Sequence, residues 1–118
     1  MAYGPSPVRE VTWTGPGDRT AVVRVEGDID LHRSGAFQDE LLKVVGQTPQ
    51  AMVVDLSGVP YIDSSGVASL VKLLSRTRRH QISLRLAGPS ARVRSVFEIT
   101  KLDTVFEIFE SVAEAVQE

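Results

Sequence analysis

The chain has 118 residues, 42% of them hydrophobic and 24% charged, which is the composition of one folded globular domain with a single core. Its net charge of -2 comes from interspersed acidic and basic residues, so no overall field would attract nucleic acid or an anionic membrane. The absence of cysteine excludes disulfides, thiolate catalysis and metal sites with cysteine ligands.

The first predicted elements are a leader and a hairpin. Residues 1–7 have neither the basic start nor the apolar stretch of a signal peptide, so we expect a disordered leader before one domain over residues 8–118. Strands are predicted over residues 8–14 and 20–26, the second from its alternation of apolar and polar side chains. The sequence Gly-Pro-Gly-Asp at residues 15–18 predicts the turn between them.

A helix and a buried strand follow. Phe37, Leu41 and Val44 recur at helical spacing and predict a helix between about residues 33 and 46. Residues 51–56 are apolar almost without interruption, as expected for a central strand that is covered on both faces. A continuous apolar strand of this kind favours a parallel arrangement of the sheet.

The next helix carries one apolar stripe. Val67, Leu70, Val71 and Leu74 fall at positions i, i+3, i+4 and i+7, which predicts a helix over about residues 65–79 with one buried face.

The remaining elements alternate in the same way. A half-exposed strand is predicted over residues 82–86, followed by a turn and a short helix that carries Phe97. A last strand is predicted over residues 105–109, and Ser111 with Glu114 forms a capping-box pattern before a terminal helix. This order predicts an α/β fold in which a mixed sheet of about five strands packs with about four helices, joined by right-handed crossovers and covering one face unevenly.

Serine hydrolase chemistry is one hypothesis for the serine pair at the start of the 65–79 helix. A nucleophile elbow requires glycine two residues before and two residues after the serine, and Ser64 has Ile62 and Gly66 there. The base would have to be His32, after the acidic loop, or His80, at the far end of the helix. One missing glycine and a doubtful base make this interpretation weak, and we expect no enzymatic activity.

A phosphorylated-aspartate receiver is a second hypothesis. Asp55 ends the central strand, and Asp28 and Asp30 follow an earlier strand. The order of elements argues against it, because a hairpin precedes the first helix and residues 59–62 intervene between Asp55 and the next helix. No phosphate-binding glycine loop of the usual kinds occurs either.

Four basic side chains end the predicted 65–79 helix. Cations in the last turn of a helix are favoured by its dipole, typically by ~0.3–1 kcal/mol each, so a structural explanation suffices for them. They are Arg76, Arg78, Arg79 and His80.

The stretch Asp-Ser-Ser-Gly at residues 63–66 opens this helix. Asp and Ser are preferred N-cap residues, but one cap explains only one of the two hydroxyls. The small residues would leave the helix start accessible to an enzyme or partner. A phosphate there is favoured by the helix dipole, yet it would add about 1.5 to 2 negative charges close to the carboxylate of Asp63.

Four blocks of sequence resemble the STAS domain of bacterial anti-sigma factor antagonists. They are Gly-Asp-Ile-Asp at 27–30, Val-Val-Asp-Leu-Ser-Gly-Val at 53–59, Tyr-Ile-Asp-Ser-Ser-Gly at 61–66, and Leu-Ala-Gly-Pro-Ser at 86–90 with Val-Phe-Glu-Ile at 96–99. The resemblance extends over about residues 8–117 and implies the STAS fold.

The resemblance also implies a mechanism. Members of this family bind an anti-sigma factor that is a serine kinase and thereby release the sigma factor that it held. The kinase uses ATP to phosphorylate the first serine of the block, which is Ser64, and this weakens the complex until a phosphatase removes the phosphate. The residues implied in partner binding are Asp28 and Asp30 in an acidic loop beside the helix start, and Asp63, Ser65 and Gly66 at the start itself.

Other STAS domains leave an alternative open. Some are non-catalytic subunits of lipid-transporting ABC systems, and some are scaffolds in stress-signalling complexes. They often lack the serine pair, so the intact block favours the phosphorylation switch. Asp28 in place of a glutamate and Val67-Ala68 in place of Leu-Gly depart from the family pattern and could change which kinase fits. We expect a cytoplasmic protein with no cofactor or metal, no direct contact with nucleic acid and no membrane insertion.

Overall fold

A computed structural model describes residues 5–117 and contains one mixed five-stranded sheet. The strands lie side by side in sequence order; β1 is antiparallel to β2, and β2 to β5 are mutually parallel. The predicted hairpin and mixed sheet are therefore confirmed. The strands are β1 (Val8–Thr14), β2 (Thr20–Glu26), β3 (Ala51–Gly58), β4 (Ser83–Ala87) and β5 (Glu107–Phe109).

The described residues also form four α-helices, as predicted. Short 3-10 turns at Pro16–Asp18 and Leu102–Thr104 complete the regular structure. The helices are α1 (Ser34–Val45), α2 (Ser64–Arg79), α3 (Ala91–Ile99) and α4 (Val112–Gln117). None of the helices within residues 5–117 combines the length and apolarity needed to cross a membrane.

The last strand is shorter than the strand predicted over 105–109. A 3-10 turn ends at Thr104, and Phe106 is buried with its ring edge-on to Phe97 at 5.6 Å between ring centroids. The apolar character of Phe106 therefore reflects core packing at the end of a turn. At the following helix, the backbone amide of Glu114 donates to the Ser111 hydroxyl at 3.2 Å, which is one half of the predicted capping box.

The core lies mainly on one face of the sheet. Alternate residues of β2, β3 and β4 point to that face and pack with apolar side chains of α1, α2 and α3. A smaller cluster on the other face joins Val22, Val53 and Ala87 to Ala115 of α4. The central strand β3 is thus covered on both faces, as its continuous apolar sequence predicts.

The start of the described chain is tied to the sheet. Met1 to Gly4 of the expected leader lie outside the described residues, as does Glu118. Pro7 is buried, and its carbonyl oxygen accepts a hydrogen bond from the Glu26 amide at 2.9 Å, so this residue extends the pairing of β1 with β2.

Two loops meet at the carboxyl edge of the sheet. The loop after β2 leads to α1, and the loop after β3 leads to α2. Ile29 of the first loop forms an isolated parallel bridge with Ile62 of the second, and both side chains are buried. Because β2 and β3 are adjacent and parallel, their carboxyl ends bring these loops together.

Candidate functional site

The side chain of Asp63 caps helix α2. Its backbone is extended, and Oδ1 accepts hydrogen bonds from the backbone amides of Ser65 at 2.9 Å and Gly66 at 3.1 Å. The hydroxyl of Ser65 also donates to Oδ1, at 2.6 Å. Asp63 is thus the N-cap residue, Ser64 is the first helical residue, and Ser65 holds the cap in place.

The second oxygen of Asp63 joins the helix start to the acidic loop. Oδ2 accepts a hydrogen bond from the backbone amide of Leu31 at 3.1 Å. The same two loops are joined through Ile29, whose amide donates to the Tyr61 carbonyl at 3.0 Å and whose carbonyl accepts from the Asp63 amide at 3.2 Å. The loop that contains Asp28 and Asp30 therefore lies beside the start of α2, where the family resemblance implied it.

Gly66 faces this loop from inside the helix. A Cβ atom at this position would lie 2.7 Å from Cγ2 and O of Ile29 and 2.7 Å from Cγ1 of Ile62. Real Cβ atoms do not approach other atoms so closely, so only glycine lets α2 contact the loop at this distance. We expected the glycine to keep the helix start open to a partner; its buried position instead gives it an inward packing role.

The two serines differ in their surroundings. Ser64 is exposed, and no hydrogen bond involves its hydroxyl within residues 5–117, whereas Ser65 is half-buried with its hydroxyl on Asp63. Of these two serines, only Ser64 therefore presents an unoccupied hydroxyl at the surface. This difference depends on side-chain direction at two adjacent helical positions, which periodicity alone does not determine.

Burial and hydrogen bonding act in opposite directions on Asp63. Partial burial raises the pKa of its carboxyl group, but the hydrogen bonds from the Ser65 hydroxyl and from the amides of Gly66, Leu31 and Ser65 outweigh this and lower the pKa below its ordinary value. Asp63 is consequently a carboxylate at neutral pH with both oxygens engaged.

The remaining acidic residues occupy separate positions. Asp30 begins the turn into α1, because its Oδ1 accepts from the Arg33 amide at 3.1 Å. Asp28 is half-buried, and no hydrogen bond of its carboxylate occurs among the described residues. Asp55 accepts from the Ser57 amide at 3.0 Å and hydroxyl at 2.7 Å. Within residues 5–117, no three His, Asp or Glu side chains are grouped as metal ligands would be.

The geometry also bears on the hydrolase hypothesis. His32 is exposed in the loop before α1, and His80 is the C-cap residue of α2, about 24 Å from Ser64 by the rise of the helix. In the part of the chain that the structure describes, neither imidazole forms a hydrogen bond, so no serine–histidine pair is assembled there.

The basic residues at the end of α2 lie far from the site. Arg76, Arg78 and Arg79 occupy its last turn, where they complement the negative end of the helix dipole. They form no ion pair with any carboxylate among the described residues, whose ion pairs involve Arg9, Arg24 and Arg94.

Two surface features near the site were not identified from the sequence. Leu31 is 79% exposed although its backbone is held by Asp63. Tyr61, also exposed, lies under the guanidinium of Arg92, which is 5.5 Å from the ring centroid. The only sequence signal for Leu31 was its position as an isolated leucine between polar residues. No sequence signal related Arg92 to Tyr61.

Comparison with known proteins gives consistent matches. The family model for the STAS domain matches residues 16–115. The anti-sigma-B factor antagonist of Listeria monocytogenes is 35% identical over 71% of this chain and 74% of its own length. An anti-sigma-F factor antagonist of Mycobacterium tuberculosis is 28% identical over 80% and 77%.

A solved structure supports the same fold. An anti-sigma factor antagonist from Mycobacterium paratuberculosis superposes with a TM-score of 0.80 over 98% of this chain and 99% of its own. The sequence identity is 24%, so this likeness concerns the fold alone.

Proposed function

The chain belongs to the STAS domain family, and from this premise we propose that it is an anti-sigma factor antagonist that is switched off by phosphorylation of Ser64. In this proposal it binds an anti-sigma factor with serine kinase activity in the cytoplasm and thereby releases a sigma factor. A phosphatase restores binding. The proposed partner-binding residues are Asp28, Asp30, Asp63, Ser65 and Gly66, of which the buried Gly66 acts by holding α2 against the loop.

The unoccupied hydroxyl of Ser64 is the observation that carries this proposal. A kinase needs a serine whose hydroxyl can enter its active site without breaking the fold. Ser64 meets this requirement because it is exposed and unbonded, whereas the Ser65 hydroxyl would have to leave Asp63. The relatives named as anti-sigma factor antagonists support the partner class.

The arrangement of Asp63 explains how a phosphate could act. Helix N-termini usually bind anions with their free amides, but Asp63 already occupies those of Ser65 and Gly66. A phosphate on Ser64 would therefore stay outside the helix and add about 1.5 to 2 negative charges beside an existing carboxylate. A partner that covers Ser64 would have to desolvate this charge, so phosphorylation weakens the complex.

The test uses the purified chain with each anti-sigma factor kinase of the source organism and ATP. Ser64→Ala should abolish phosphate incorporation and preserve binding, while Ser75→Ala, the matched control at an exposed serine of the same helix, should still be phosphorylated. Ser64→Asp should weaken binding, whereas Gln47→Glu, which adds the same charge at an exposed position beyond the end of α1, should not.

Two results would contradict the proposal. Phosphate incorporation that continued in Ser64→Ala would exclude Ser64 as the acceptor. A stable complex with the ATPase subunit of a lipid transporter, unaffected by Ser64→Asp, would support the alternative function as a non-catalytic transporter subunit.

A further inference from the structure

Leu31 is a large apolar side chain held out in solvent. A single exposed leucine is common and by itself means little. Leu31 differs because its backbone is fixed: its amide donates to Asp63 Oδ2 at 3.1 Å, and the preceding Asp30 accepts at its carbonyl from the amides of Arg33 and Ser34 at 3.0 and 2.8 Å. The side chain is therefore displayed from a hydrogen-bonded turn.

The exposed face of α2 carries no charge over its first two turns. Ser64, Ala68 and Val71 recur at i, i+4 and i+7 and are all exposed, with Val71 41% exposed. Lys72 carries the first cation on the helix, beyond two turns of small or apolar residues.

We propose that Leu31 is the apolar anchor with which this chain docks into a pocket of its anti-sigma factor, and that Ser64 lies at the edge of that contact. The inference rests on the proposed function and deepens it. Interfaces commonly depend on a few side chains that fill apolar pockets and lose all contact with water. Leu31 is rigidly presented, so burying it would cost little ordering of the backbone.

This placement gives the phosphate a physical mode of action. When the partner covers Leu31, water is excluded from the edge of the contact. The small hydroxyl of Ser64 can be accommodated at that edge. A phosphate dianion at the same point would have to lose its hydration or hold the two surfaces apart. Phosphorylation then weakens binding without any change in the fold.

Charge helps to select the occupant. Asp28, Asp30 and Asp63 lie in or beside the same loop and outnumber its one arginine, Arg33, so the net negative charge there would repel an anionic lipid surface. The relatives of this chain are named for their anti-sigma factors, which makes such a protein the occupant to which we commit. A second copy of the chain is distinguished by the test.

The test compares Leu31→Ala with Ile99→Ala. Ile99 is 80% exposed, nearly the same as Leu31, but it ends α3 and therefore lies toward the opposite edge of the sheet. Calorimetric titration should use the anti-sigma factor that binds the wild-type chain. We expect Leu31→Ala to weaken binding at least about tenfold, which corresponds to about 1.4 kcal/mol, and Ile99→Ala to change it less than twofold.

A double variant tests the connection with Ser64. If both positions belong to one contact, Ser64→Asp should lose much of its effect in the Leu31→Ala background, because the contact that the charge disrupts is already weakened. Thermal unfolding should be almost unchanged in Leu31→Ala, since the removed atoms are solvent-exposed.

The outcomes separate the two proposals. Wild-type binding by Leu31→Ala would overturn the anchor while leaving the antagonist function intact. Failure of the wild-type chain to bind any anti-sigma factor would overturn the function and the anchor with it. A wild-type dimer in sedimentation that Leu31→Ala dissociates, with unchanged binding of the anti-sigma factor, would assign Leu31 to self-association and overturn the proposal.

Discussion

Replacing Asp63 should separate the two structural roles of its carboxylate. Asp63→Ala removes the acceptors of the Ser65 and Gly66 amides and of the Leu31 amide. Loss of an N-cap costs about 0.5–2 kcal/mol. The hydrogen bond to the Leu31 amide, which involves a charged acceptor, adds about 1.5 kcal/mol. We therefore expect Asp63→Ala to lower the free energy of unfolding by about 2–3.5 kcal/mol.

Asp63→Asn isolates the connection to the loop. Asparagine caps helices about as well as aspartate, so the bonds to Oδ1 can persist. The other side-chain atom becomes an amide donor that faces the Leu31 N–H and cannot accept its hydrogen bond. We expect a loss of about 1.5 kcal/mol from this one connection.

Urea and thermal unfolding measure both effects. With about 2.1 cal/mol/K of unfolding entropy per residue, each 1 kcal/mol lowers the Tm of this 118-residue chain by about 4 °C. Asp63→Ala should thus lose about 8–14 °C and Asp63→Asn about 6 °C. Ser90→Ala is the control, because Ser90 caps α3 through the Val93 amide at 3.2 Å and should lose only about 1 kcal/mol.

The comparison of Asp63→Ala with Ser90→Ala shows whether the bond to the Leu31 amide contributes to stability. If Asp63→Ala were no more destabilising than Ser90→Ala, the bond to Leu31 would contribute nothing to stability. The turn that presents Leu31 would then have to be held by other contacts. Amide hydrogen exchange at Leu31 gives an independent measurement and should be faster in both Asp63 variants.

Three further predictions concern the same region. Because the pKa of Asp63 is lowered on folding, its carboxylate stabilises the fold above about pH 4, and this stabilisation is lost as the pH falls through the pKa of the folded state. The free energies of unfolding in urea of the wild-type and Asp63→Asn proteins should therefore converge toward acid pH. Gly66→Ala should lose about 1–3 kcal/mol in urea, since its Cβ would overlap Ile29, and a wild-type midpoint would contradict this packing. Arg92→Ala should cost only about 0.5–1 kcal/mol, because its contact with Tyr61 is solvent-exposed, and a larger loss on thermal unfolding would require additional contacts.

The elements that the sequence predicts well are those with local causes. The hairpin has its turn residues between two alternating strands, and α2 has its apolar stripe and its capping residue within a few positions of one another. The last strand was predicted too long, because Val105 and Phe106 look like strand residues although a turn precedes them. An apolar side chain buried from a turn has the same sequence pattern as one buried from a strand.

The candidate site also combines features that have local causes with features that depend on tertiary contacts. The sequence by itself determined that a serine-rich, capped helix follows a buried strand, and the family blocks select Ser64, because both depend on residues that are adjacent in the chain. Only the tertiary structure decided that Asp63 also binds Leu31, 32 positions away, that Gly66 packs against Ile29, and that the hydroxyl of Ser64, unlike that of Ser65, has no hydrogen bond within residues 5–117. These properties depend on how two loops that are distant in sequence meet at the edge of a parallel sheet, and local sequence patterns carry no information about such contacts.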